Sequence, residues 1–127
     1  MKDRVILGKI KSYLARIEKY YDLIKDMDES EIVKLDQSLA LTQCITNMHS
    51  LAQHISSDEI AQKMYLFSSR GVSTCRNISA HDYDSLDWER VKDLCKKLLS
   101  DKTSQLINES LAIAENDENG YKNYTDC

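Results

Sequence analysis

The chain contains no proline and only three glycines, Gly8, Gly71 and Gly120. Proline removes a backbone donor and clashes inside a helix, and glycine raises the entropic cost of forming one. With so few breakers, and few β-branched runs alternating with polar residues, the pattern argues against a sheet and for helices. No apolar run approaches the ~20 residues a bilayer span needs. Met1-Lys2-Asp3-Arg4 leads straight into an amphipathic pattern, so no signal peptide is expected. The four cysteines, Cys44, Cys75, Cys95 and Cys127, include no C-x-x-C pair. Neither a disulfide framework nor a zinc site is therefore expected. A large excess of either charge is absent as well. The net charge is −4, and residues 115–127 hold Glu115, Asp117, Glu118 and Asp126 against one lysine, Lys122. The remaining body is almost neutral, which argues against broad non-specific nucleic-acid binding. These absences leave a cytoplasmic, all-α protein with reduced thiols, no cofactor, no metal and no membrane segment. Its 127 residues fit one domain.

What is present is helical periodicity. Ile6, Ile10, Tyr13, Ile17, Tyr20, Ile24 and Met27 step alternately by four and three. That places one apolar stripe on one long helix over about residues 3–27. Asp28 with Glu31 three positions on reads as a cap, opening a second helix over about 30–55. Its buried side would be Ile32, Leu35, Leu39, Ile45, Met48, Ala52 and Ile55. Ser56-Ser57-Asp58 caps a third helix that turns Ile60, Met64, Phe67 and Val72 inward. Ser68-Ser69-Arg70-Gly71 weakens it. Asp84-Ser85 begins a fourth, with Ser85 as cap and Leu86, Val91, Leu94, Cys95 and Leu98 as its apolar positions. Ser100-Asp101 restarts the chain as a fifth, through Leu106, Ile107, Leu111 and Ala114. The expected organisation is a four- to five-helix bundle over 1–114 with an acidic, disordered tail over 115–127.

The chemistry concentrates in residues 76–83, RNISAHDY. On one continuous helix Arg76 and Tyr83, seven apart, share a face, and Asn77 and His81, four apart, share a neighbouring one. Asn77 could then orient the His81 ring by a hydrogen bond. Arg76 and His81 would point about 140° apart. They cannot grip one substrate atom from a single straight helix. Either the helix ends between them, or a second copy of the chain supplies the missing half, as a two-fold dimer would. Histidine moves protons near neutral pH, and arginine stays charged and forks onto phosphate oxygens. Such a set suits metal-independent cleavage of an RNA phosphodiester. On spacing alone, a hydrogen-bonded helix end is the commoner meaning of such a pair.

RNISAHDY resembles the R-x4-H-x-Y motif of the HEPN superfamily. The fuller stretch RNISAHDYDSLDWERV resembles the HepT-like group, whose step into the last long helix is matched by Ser85, Asp87 and Trp88. The order of helices agrees over about residues 3–110. The chain departs at His49-Ser50-Leu51-Ala52, where members often carry an I-G-E-A-like segment, and in having no proline after the motif helix. The resemblance implies a HEPN-type bundle that forms a homodimer, with the motifs of two chains building one composite cleft. It implies a ribonuclease toxin of a toxin–antitoxin pair, with RNA as substrate. It further implies a minimal nucleotidyltransferase as antitoxin, which attaches AMP to the motif tyrosine, here Tyr83. Arg76, Asn77, His81 and Tyr83 are then the catalytic set. The alternative is a non-catalytic helical dimer that binds a nucleotide or scaffolds a nucleotidyltransferase.

Other candidates carry less. His49 and His54 lie five apart, where a helical zinc pair wants three or four. Cys75 adjoins Arg76 without an oriented base, so packing is its expected role. Arg90, Lys92, Lys96 and Lys97 give the fourth helix a basic side. Lys92 and Lys96, four apart, are the candidates for guiding an RNA backbone. Trp88, the only tryptophan, is expected in the core or at a dimer contact rather than under a base.

Overall fold

The computed structural model describes residues 2–68, Val72 and 86–125, the stretch 118–125 as backbone alone. Every regular element among the described residues is helical. The order is α1 (Asp3–Ile24), α2 (Glu29–Ile32), α3 (Asp36–Ala52), α4 (Asp58–Lys63), a 3-10 turn (Tyr65–Ser68), α5 (Trp88–Leu98) and α6 (Asp101–Thr125). The all-α expectation holds.

Helix α1, 22 residues and about 33 Å long, is the spine. Ile6, Ile10, Ile17 and Ile24 of the expected stripe are fully buried, joined by Leu7, while Tyr13 and Tyr20 pack at the margin. The stripe lies mainly against α3, and α5 and α6 cover its remaining flanks. Each isoleucine withdrawn from water contributes about 1.5–3 kcal/mol before conformational entropy is set against it.

The expected single helix over 30–55 is two helices. Asp28 does cap as read: its carboxylate accepts from the Glu31 N–H at 3.0 Å. But α2 lasts one turn. Leu35 turns extended (φ −93°, ψ 134°) and the chain restarts as α3. Ser38, fully buried, closes the break by donating its hydroxyl to the carbonyls of Ile32 and Leu35. The restart rotates the register. Leu39, expected inside, is 46% exposed, and Leu41, Thr42 and Cys44 take the inner face with Ile45 and Met48.

Helix α4 starts where expected, with Ser57 Oγ accepting from the Ile60 N–H at 3.3 Å. It soon tightens into the 3-10 turn, keeping Ile60, Met64, Phe67 and Val72 buried. Asp3, at the start of α1, accepts from the backbone N–H groups of Ser56 and Ser57 at 2.8 and 3.0 Å. Helix α6 continues to Thr125, well beyond Ala114, where the sequence pattern loses its apolar side.

Candidate functional site

The RNISAHDY stretch, and with it Arg76, Asn77, His81 and Tyr83, lies outside the described residues; so do Cys75 and Ser85. Their chain neighbours are described. Val72 on one side is fully buried, and Leu86 and Trp88 on the other are 6% and 0% exposed. The described residues on either side of 73–85 thus belong to the hydrophobic core.

The exit is fixed in detail. The cap of α5 is Asp87 rather than the expected Ser85: its carboxylate accepts from the N–H groups of Glu89 and Arg90 at 3.1 and 3.3 Å. Asp87 is well placed for this because its backbone is extended and its charge meets the positive helix end. A second acid reaches across from α2, where Glu29 accepts from the Trp88 N–H at 3.1 Å. Two carboxylates thus satisfy three of the four free donors at this helix start. Trp88 is buried in the core, which bears out packing as its role.

The two lysines expected to guide RNA have different surroundings. Lys92 is buried, and its ammonium donates to the Met27 carbonyl at 2.6 Å and pairs with Glu89 at 3.3 Å. It fastens the connection between α1 and α2 to α5, so its charge is spent inside the fold. Helical spacing alone places Lys92 on a basic side, and nothing local in the sequence signals the carbonyl that draws it inward. Lys96 is exposed. It stands with Lys97 on a groove of about 370 Å³ whose other walls carry Lys63, Tyr65 and Lys102. Nothing local in the sequence signals this groove, because its lysines come from three separate elements. His49 is buried on α3 beside Gln53, and His54 is exposed; neither joins the groove. Cys44 and Cys95 are buried thiols outside any disulfide, and burial pushes the Cys44 thiol above its ordinary value.

A long helix laid along a second, a short one leading into an Arg-x4-His-x-Tyr stretch, and two closing helices make this a HEPN-type bundle. The chain belongs to the Ribonuclease HepT-like family, whose model matches residues 10–109 and so takes in the whole of 76–83. Neither the curated proteins nor the solved structures gave a match. Among the described residues no helix is long and apolar enough to cross a membrane.

Proposed function

We propose that this chain is a metal-independent endoribonuclease, the toxin of a toxin–antitoxin pair, cleaving RNA at a composite site formed by two copies of itself. The observation that carries the reading is the family match over 10–109, with Arg76, Asn77, His81 and Tyr83 all present inside it. In the proposed reaction the ribose 2′-oxygen attacks the adjacent phosphorus and the 5′-oxygen of the next nucleotide leaves. His81 carries the proton between these oxygens. Arg76 holds the phosphate and neutralises the charge that builds on it. Asn77 orients the His81 ring. Lys96 guides the RNA backbone; Lys92, bound to Met27 and Glu89, does not.

Tyr83 is the proposed switch. Its phenol oxygen would attack the α-phosphorus of a nucleoside triphosphate held by the nucleotidyltransferase antitoxin, and pyrophosphate would leave. The AMP then places an anion where Arg76 would receive RNA. The cytoplasm is the proposed compartment.

The near-neutral body favours a second reading, a non-catalytic dimer that scaffolds a nucleotidyltransferase. An RNA-cleavage assay on the purified chain separates the two. Cleavage that persists in chelator supports the nuclease, and no cleavage of any RNA offered supports the scaffold. Light scattering at micromolar concentration tests the composite site, which a strictly monomeric species would rule out.

A further inference from the structure

We propose that the groove between the Tyr65–Ser68 turn and the α5–α6 junction binds single-stranded RNA. A base would stack on Tyr65, and Lys96, Lys97 and Lys102 would hold the phosphates. The inference rests on the ribonuclease reading and adds to it a binding surface outside residues 76–83.

The cavity volume, about 370 Å³, falls within the roughly 300–1,000 Å³ of small-ligand sites. Four lysines line it and, among the described lining residues, no acid does. Lys63 is engaged by Glu109 at 3.1 Å from outside the lining, which leaves Lys96, Lys97 and Lys102 as the cationic wall. Lys96 and Lys97 sit in the last turn of α5, where a cation suits the negative helix end; helix stability alone could account for them. It does not account for Lys102. That residue is in the first turn of α6, where the helix end is positive and a cation is unfavourable. It also shares the groove's lining with Lys96 and Lys97, an arrangement that an anionic ligand relieves.

Tyr65 supplies the second part. Its neighbour Phe67 is buried, yet Tyr65, which lines the groove, is 56% exposed. An exposed ring beside lysines makes a stacking platform that accepts any base, with the backbone tracked electrostatically. An acidic protein could use the lysines but gains little from the ring, so the ring favours a nucleic acid strand.

The test uses the full chain and a fluorescein-labelled ten-nucleotide RNA with 2′-O-methyl riboses, which cannot be cleaved through a 2′-hydroxyl. Anisotropy is followed against salt. Lys96→Gln with Lys102→Gln should weaken binding at least tenfold at low salt and lower the log–log salt slope by about 1.4, roughly 0.7 per lysine. Lys19→Gln with Lys34→Gln removes the same charge from exposed positions elsewhere and should leave the slope unchanged. Tyr65→Ala should weaken binding about tenfold, and Tyr65→Phe should not. Circular dichroism confirms that each variant keeps its helices.

Equal losses in the two lysine pairs overturn the site. Indifference to Tyr65→Ala, with polyphosphate competing as well as RNA, overturns the RNA assignment in favour of a bare anion site. Cleavage of natural RNA by wild type distinguishes the failures. Cleavage with unaltered binding by the groove variants sinks the groove alone. Groove-dependent binding without cleavage sinks the nuclease reading and leaves the groove standing.

Discussion

The Lys92 ammonium lies 2.6 Å from the main-chain carbonyl of Met27, joining the connection after the first helix to the helix that follows the motif stretch. The residues are 65 positions apart in sequence. Lys92→Met keeps the aliphatic stem and removes the donor, so the Met27 carbonyl and Glu89 lose their partner. A hydrogen bond from a charged group contributes about 1.5–3 kcal/mol, and the variant should lose about that much in urea unfolding. If Lys92 instead served mainly to hold RNA, the variant would bind RNA more weakly at unchanged stability.

Arg76→Ala and His81→Ala should each abolish most RNA cleavage while the far-ultraviolet circular dichroism stays helical. Loss of a proton carrier costs about 100- to 10,000-fold in rate. Cleavage should continue in EDTA. Full activity in a clean His81→Ala preparation would refute the proposed mechanism.

Tyr83→Phe keeps the ring and removes the oxygen that would accept AMP. The variant should retain a substantial part of the cleavage rate and become insensitive to an AMP-transferring antitoxin. Mass spectrometry of the chain co-expressed with that partner should find AMP on the Tyr83 peptide of wild type only. An unmodified peptide from a fully neutralised pair would mean that inhibition works by complex formation.

The cap at the start of the second helix gives a pH dependence of definite sign. The Ser30 hydroxyl at 2.7 Å, followed by the Glu31 N–H, holds the Asp28 carboxyl below its ordinary 3.8. A depressed folded-state value means that the cap's contribution is present above about pH 4 and lost as the pH falls through the lowered value. Asp28→Asn keeps an acceptor and abolishes the titration. Its unfolding midpoint should therefore change less than that of wild type between pH 5 and pH 2.5.

Much of the bundle was legible because its signals are local and periodic. The α1 stripe needs only a seven-residue repeat, and Ser57 and Asp28 announce their helix starts by type and position. The break at Leu35 was not legible. Nothing in Lys34-Leu35-Asp36 forbids a continuous helix; the break shows only in the structure, where the Ser38 hydroxyl bonds the Ile32 and Leu35 carbonyls and the restarted helix buries Leu41, Ile45 and Met48 with Leu39 turned outward. The α5 cap moved from Ser85 to Asp87 because a carboxylate two positions on can take two N–H groups at once, with Glu29 taking the next. In the candidate site, the residue types of RNISAHDY point to phosphate chemistry, and their arrangement lies outside the described residues. The fate of Lys92 was not, since a carbonyl 65 residues away decides it.

The Asp3 carboxylate, bonded to Ser56 and Ser57, spans 53 and 54 residues of chain. Closing a loop of that length carries an entropic cost that only a largely assembled bundle can offset. The latch is therefore expected to engage on the late side of the folding barrier, after α1 has found α3. Asp3→Ala should accelerate unfolding while leaving the refolding rate nearly as it was. A stopped-flow chevron should show the change on the unfolding limb alone. The first turn of α1 then governs how long the folded protein lasts rather than how quickly it forms.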